Sequence, residues 1–339
     1  MSWLSDGAVE RVRRAATEPE PVAGLPPEPP AAPPNLGGDR YRLREPLGRG
    51  GMGTVYRAWD RELEREVAVK VLDAVDPEAA RRMLQEARVV ARLEHPGIVP
   101  VHDAATLPDG RVWYAMRLVR GSRLDQVVAP VAAERRALPE LLRIFERICD
   151  AVAFAHSHGV IHRDLKPENV MVGPFGEVLV MDWGVAKVGA AAGTEARPGP
   201  RPGAAAASAR PGTAHGTVLG TPGFMAPEQE RGEVERVDER TDVYALGAIL
   251  RELLVGGAAP RPLVAVSRKA MSSAPEDRYP SVGQLAAEVS RYLDGLPVAA
   301  YREGPIERLR RFGRRYRVAI LLILAYVLMR AAFMLWAGF

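Results

Sequence analysis

Cysteine is almost missing from this chain: one residue, Cys149, in 339. That scarcity excludes a disulfide framework and any metal site built from cysteines. Cys149 itself follows Ile148 in the apolar series Leu141, Phe145, Ile148, Val152, whose helical spacing suits a small core hydrophobe. Also missing are zinc-ligand spacing and any run of basic residues interleaved with aromatics. The net charge of +4 and the isoelectric point near 9.3 therefore do not point to nucleic acid. Much of the excess is a local patch, Arg308, Arg310, Arg311, Arg314, Arg315 and Arg317, beside an apolar run. The N-terminus has no apolar signal-peptide core, so the expectation is a body made and kept in the cytosol. What remains is a composition of 47% hydrophobic and 26% charged residues, typical of a globular protein with room for one two-lobed domain or two ordinary ones.

Along the chain, residues 1–14 could form a short helix. Pro19 to Asp39 is rich in Pro, Ala and Gly and reads as a semi-extended linker, so 1–40 is set apart from the body. From Tyr41 short β-type runs take over: Tyr41 to Leu47, Thr54 to Trp59, and Glu66 to Leu72, the last apolar enough for an interior strand. The pattern predicts a helix from Pro77 to Leu93, then strands near Ile98 to Thr106 and Val112 to Leu118. Beyond 118 the chain becomes mainly helical, with helices over Leu138 to His158, Asp242 to Leu254, and from a Ser281 cap to Leu293. Val170 to Val172 and Val178 to Met181 read as a hairpin. Between them and the later helices, Ala186 to Gly220 has no periodicity, and loops of that length inside a compact domain are usually functional or disordered.

Three constellations carry chemistry. Gly48-Arg49-Gly50-Gly51-Met52-Gly53-Thr54-Val55 is a glycine run between two β-type segments, where the backbone can approach a phosphate and present N–H donors. A strand follows it, so it is neither a dinucleotide fingerprint nor a P-loop, both of which need a helix N-terminus. In Val67-Ala68-Val69-Lys70, alternation puts Ala68 and Lys70 on one face. In the helix that follows, Glu86 shares the apolar face of Met83, Val90 and Leu93; if buried it needs a cation, and Lys70 is the nearest candidate in sequence. Third comes His162-Arg163-Asp164-Leu165-Lys166-Pro167-Glu168-Asn169, then the hairpin, then Asp182-Trp183-Gly184. A hairpin returns the chain to its start, so Asn169 and Asp182 should lie close together, two oxygen donors suited to Mg²⁺.

These motifs in this order resemble the eukaryotic-type protein kinases, and especially their bacterial serine/threonine (Hanks-type) branch. The resemblance runs from about Tyr41 to Leu296. It implies an α+β two-lobed fold, with a small β-rich N-lobe (41–118) and a larger, mainly helical C-lobe (119–296). It further implies that Leu47, Gly48, Arg49, Gly50, Gly51, Met52, Gly53, Thr54 and Val55 cover ATP, with Ala68 and Met116 also around the nucleotide. Lys70, held by Glu86, would contact the phosphates, Asp164 would act as base toward the substrate hydroxyl, and Lys166 would neutralise the transferring group. Asn169 and Asp182 would hold Mg²⁺. Arg163 before the catalytic aspartate implies an activation segment ordered by phosphate, with Thr213 and Thr217 as acceptors. Lys166 and Thr221 in Gly220-Thr221-Pro222 are similar to the serine/threonine class. Ala226-Pro227-Glu228 is similar to the end of the activation segment, Asp242 to a buried aspartate of the central C-lobe helix, and Arg278 to the arginine paired with the Glu228 position. Implied partners are proteins with Ser/Thr acceptors and, for autophosphorylation in trans, a second copy of the chain.

Two departures from the family pattern stand out. Trp183 replaces the usual phenylalanine but stays aromatic. After Leu254, Val255 to Arg261 leads almost directly into Pro262-Leu263-Val264, so the substrate-docking helix of the family is shortened or absent. The rival reading, a binding module that keeps the fold without turnover, would be marked by loss of the lysine, the base or a Mg²⁺ ligand, and none is lost. Last comes the tail. Residues 297–317 form a basic juxtamembrane segment, and Val318 begins an apolar stretch of roughly 22 residues, about 33 Å as a helix against a hydrocarbon core of about 30 Å. Arg330 costs about 2.5 to 3.5 kcal/mol, but about eleven Leu, Ile, Val and Phe residues return about 0.3 to 0.6 each. The expectation is a single transmembrane helix over 318–338. The basic run keeps the kinase on the cytoplasmic side of the inner membrane and meets anionic lipid.

Overall fold

The computed structural model describes residues 36, 38–50, 53–73, 75–131, 138–183, 187–188, 223–255, 259–305, 307–308 and 317–336. Its first part is a five-stranded antiparallel sheet of β1 (Tyr41–Arg49), β2 (Gly53–Asp60), β3 (Arg65–Leu72), β4 (Val101–Thr106) and β5 (Val112–Arg117), in the order β1-β2-β3-β5-β4. The alternation in β3 decides which residues look where. Val67, Val69 and Val71 pack with Leu36, Tyr41, Ala58 and Trp113 on one face. Ala68 and Leu72 pack on the other with Met83, Ala87, Tyr114 and Met116. That second face is covered by α1 (Pro77–Val90), which Asp76 caps by accepting from the Glu78 N–H at 2.9 Å. The helix ends three residues before the expected Leu93. The strand expected to start at Ile98 starts at Val101, and Ile98 instead bridges to Val180 of the other lobe.

The second part is helical. The short pair β6 (Ser122–Arg123) and α2 (Leu124–Val131) leads to the 20-residue α3 (Leu138–Ser157), closed by Gly159, whose φ of 72° is in the left-handed region. β7 (Val160–Ile161), β8 (Val170–Val172), β9 (Val178–Val180) and β10 (Lys187–Val188) follow. β8 and β9 form the expected hairpin, joined at its edge by β6; β7 pairs with β10. Then come α4 (Pro227–Glu230), α5 (Glu239–Leu253), α6 (Arg261–Ala270) and α7 (Val282–Leu293). One core joins α3, α5, α6 and α7 through Phe145, Ile148, Leu246, Ile249, Val266 and Leu285, all inaccessible to solvent. Cys149 lies in it, its thiol pushed well up by burial, as befits an inert core residue.

Of the segment expected to shorten the docking region, Gly256 and Gly257 lie outside the described residues, and α6 begins at Arg261. The final helix, α8 (Arg317–Trp336), has 20 residues, and its described side chains from 320 to 333 are exposed. Among the described residues no helix is long and apolar enough to cross a membrane. The spanning helix expected from Val318 is therefore not established by the fold.

Candidate active site

The cleft between the two parts gathers residues that lie far apart in sequence. Strand alternation turns Lys70 toward α1, where Glu86 sits on the buried face. The ammonium stands 3.0 Å from Glu86 Oε1 and 3.3 Å from Oε2. Tyr114, opposite Lys70 in β5, donates its hydroxyl to Glu86 Oε1 at 2.9 Å, a contact that sequence spacing did not reveal. Lys70 also reaches Asp182 Oδ1, at 3.2 Å. Burial by itself would discharge Lys70, but Tyr114, Glu86 and Asp182 together raise its pKa, so it stays an ammonium. For Asp182 burial pulls upward, yet Lys70, His162 and Lys166 hold its carboxyl below the usual range. Its side chain is 54% exposed, so the ionised oxygens face the cleft.

Below lies the loop after β7. Asp164 Oδ2 is 3.0 Å from Lys166 Nζ. Asn169 donates Nδ2 to the Asp164 carbonyl at 2.8 Å and to Asp164 Oδ2 at 3.2 Å. Its Oδ1 has no hydrogen-bond partner among the described residues. Asn169 at the entrance of the β8–β9 hairpin and Asp182 at its exit are brought together by the Met181 N–H, which donates to the Asn169 carbonyl at 2.8 Å.

The loop is held from beneath by Asp242 of α5. This fully buried carboxylate accepts from His156 Nε2 and from the backbone N–H groups of His162 and Arg163, each at 2.8 Å. Its acidity is kept high by His156 and those donors despite burial. Arg163 adopts a φ of 71° and Asp182 one of 56°, strained values for residues with a Cβ that surrounding contacts must impose. For Asp182 those contacts include the His162 ring, which bonds the Met181 carbonyl at 2.9 Å and lies 4.6 Å from the Trp183 ring. Trp183 is buried, so the aromatic substitution packs rather than opens the site. Arg163 Nε and Nη2 are buried with no hydrogen-bond partner among the described residues. Glu228 and Arg278, both fully inaccessible, form a bidentate pair at 2.7 Å, and Thr241 donates to Glu228 at 3.0 Å.

Over the cleft, Gly50 N–H donates to the Gly53 carbonyl at 2.9 Å, tightening the tip between β1 and β2. Gly53 is required by space: a Cβ there would stand 2.2 Å from the Val71 carbonyl oxygen. Leu47, Gly48, Arg49, Thr54 and Val55 flank it, and Ala68 and Met116 pair across β3 and β5 in the apolar cluster beneath. Gly51, Met52, Thr213, Thr217 and Thr221 lie outside the described residues.

A two-part fold with a lysine–glutamate pair above and two acid-bearing loops below defines the protein kinase class. Residues 41–265 match the family described as protein kinase domain, and the chain belongs to that family. Within it, the chain is similar to bacterial serine/threonine kinases. It is 33% identical over 300 residues to the serine/threonine-protein kinase PknD of Protochlamydia amoebophila, covering 76% of this chain and 30% of that protein. It is 39% identical over 232 residues to PknD of Chlamydia muridarum, covering 63% and 24%. The chain thus spans less than a third of the length of these relatives. Among solved structures, the Mycobacterium tuberculosis PknI kinase domain aligns with a TM-score of 0.55 at 26% identity, covering 78% of this chain and 99% of that one.

Proposed function

We propose that the chain transfers the γ-phosphoryl group of ATP to Ser or Thr hydroxyls of proteins, with 41–296 as the catalytic unit. The observation that carries this is the Lys70–Glu86 pair at 3.0 Å, with Lys70 also within 3.2 Å of Asp182. Together they place a cation and an anion at one mouth of the cleft. Protein kinases as a class use ATP with Mg²⁺. The donor set fits that ion: a carboxylate kept ionised at Asp182 and an amide oxygen at Asn169 with no hydrogen-bond partner among the described residues are both hard oxygen ligands. When bound, Mg²⁺ neutralises phosphate charge. Lys70 orients the α and β phosphates, and the tip at Gly50 to Gly53 covers them. Asp164, oriented by Asn169, accepts the substrate hydroxyl proton while Lys166 offsets negative charge on the transferring group.

Regulation by phosphate on the segment containing Thr213, Thr217 and Thr221 belongs to the same proposal. It is supported by the buried Arg163 Nε and Nη2, which have no hydrogen-bond partner among the described residues and form a cationic group suited to an anion. Transfer between two copies would make a second chain a partner. Membrane anchoring through α8 is supported by its exposed, apolar side chains and the basic run before it.

The test is transfer of labelled phosphate from ATP with Mg²⁺ by the full-length chain, followed by phosphoamino-acid identification. Wild type should yield phosphoserine or phosphothreonine, and Asp164→Asn should lose about 10²- to 10⁴-fold in rate. Near-native turnover in Asp164→Asn, or label only on tyrosine, would refute the assignment.

A further inference from the structure

At the end of the sheet far from the glycine tip lies a groove of about 910 Å³, lined by Arg42, Leu43, Arg44, Trp59, Arg61 and Glu64. Strand register builds it. Arg42 pairs with Trp59 across β1 and β2, so both project from one face. Arg44, two residues on, lays its guanidinium over the Trp59 ring at 5.3 Å. Arg61 and Glu64 come from the turn after β2. The neighbouring arginines are matched with acids: Arg40 with Asp60 at 3.1 Å, Arg57 with Glu45 at 2.8 Å, Arg44 with Glu66 at 3.4 Å. Arg42 and Arg61 have no acidic partner among the described residues. The lining thus carries three cations against one carboxylate around an indole face, which suits a ligand with both carboxylates and flat apolar rings.

We propose that the occupant is this chain's own segment 15–35, docked in cis. From Ala15 to Asn35 there are three glutamates, Glu18, Glu20 and Glu28, eight prolines, and no lysine or arginine. Charge complementarity with Arg42 and Arg61 follows directly. Pro26-Pro27-Glu28-Pro29-Pro30 favours the extended polyproline conformation, whose rings pack on aromatic grooves at low entropic cost. The path is short. Leu36, where the segment joins the fold, is buried beside Tyr41, the residue before Arg42. The eight residues from Glu28 to Leu36 reach about 25 Å at 3.1 Å each. β1 is the edge strand of the sheet. Leu43 belongs both to the groove and to the cluster around Tyr41, so the groove opens at the edge from which the segment arrives.

The test places photo-reactive benzoylphenylalanine at Leu25 or Ala31 in the full-length chain and maps cross-links by mass spectrometry in a mixture of heavy- and light-isotope copies. Cross-links to residues 42–44 and 59–64 within one copy are expected. Arg42→Glu with Arg61→Glu should lower their yield about 5- to 10-fold, since several individually weak exposed ion pairs are lost together. Glu18→Arg, Glu20→Arg and Glu28→Arg combined should do the same. Joining both sets should restore the yield, which a merely misfolded variant cannot do. Cross-links elsewhere in the chain, cross-links between heavy and light copies, or a yield indifferent to either reversal would overturn the proposal.

Discussion

The buried ionisable residues have consequences that exposed ones of the same type lack. Asp242 has three donors and no solvent, and its pKa is lowered by His156 and the loop N–H groups against the upward pull of burial. Glu228 is lowered likewise, burial being outweighed by Arg278 and Thr241. A carboxyl whose folded pKa lies below its unfolded one binds fewer protons when folded, so its stabilisation is full above the unfolded value and is lost on acidification. Stability should accordingly fall as pH drops below about 4, the ordinary carboxylate range. Urea midpoints at pH 7, 5 and 3.5 measure this, and a flat profile would contradict it. Asp242→Asn should show a shallower acid fall. It should also lose about 1 to 3 kcal/mol at pH 7, because an amide presents one acceptor where the His162 and Arg163 N–H groups use two.

Among the elements, α5 and α6 show how packing can reverse an intrinsic preference. Gly247 lies inside α5, where alanine would ordinarily add about 1 kcal/mol. A Cβ at 247 would stand 2.7 Å from the Ala270 Cβ and 2.9 Å from Met271 Cγ, too close for a backbone-anchored methyl to yield. Ser267 meanwhile donates to the Gly247 carbonyl at 2.8 Å, tying α6 to α5 at this point. Gly247→Ala should thus lower stability by about 1 to 2 kcal/mol, overpacking exceeding the helical gain, as thermal unfolding would show; a raised melting temperature would exclude it. The elements legible beforehand were those with long periodic runs or clear caps and turns: α1, α3, α5, α7 with its Ser281 cap, the strands of the sheet and the β8–β9 hairpin. α2 and α6 went unread. Their runs are only 8 and 10 residues, too short for periodicity to stand out, although α6 carries Pro262 in its first turn and Arg268 and Lys269 in its last. The pairing of β6 with β8 and of β10 with β7 depends on the two-residue strands β6, β7 and β10, too short for any pattern.

At the scale of the whole molecule, anchoring through α8 would fix the catalytic unit at a membrane surface. If α8 anchors the chain as proposed, the full-length protein should stay with membranes through carbonate extraction, and deletion from Val318 onward should release it. Full-length protein in the soluble fraction would sink the anchor and leave the catalytic proposal untouched. The order of motifs along the chain determined the candidate chemistry by itself: Gly48 to Val55, Lys70, Glu86, Asp164 to Asn169 and Asp182 are residue types whose donors and charges suit phosphates and a hard cation wherever they meet. That Lys70 would seek Glu86 was legible because a carboxylate on an apolar helix face demands a cation. Only the tertiary structure decided that Tyr114 shares Glu86, that His156 and two backbone N–H groups converge on Asp242, and that Arg42 and Arg61 line one groove with Trp59 and have no acidic partner among the described residues. The reason is that such contacts depend on which faces of separate strands and helices come together. Local periodicity says which side of an element is apolar, but only packing says what the other side meets.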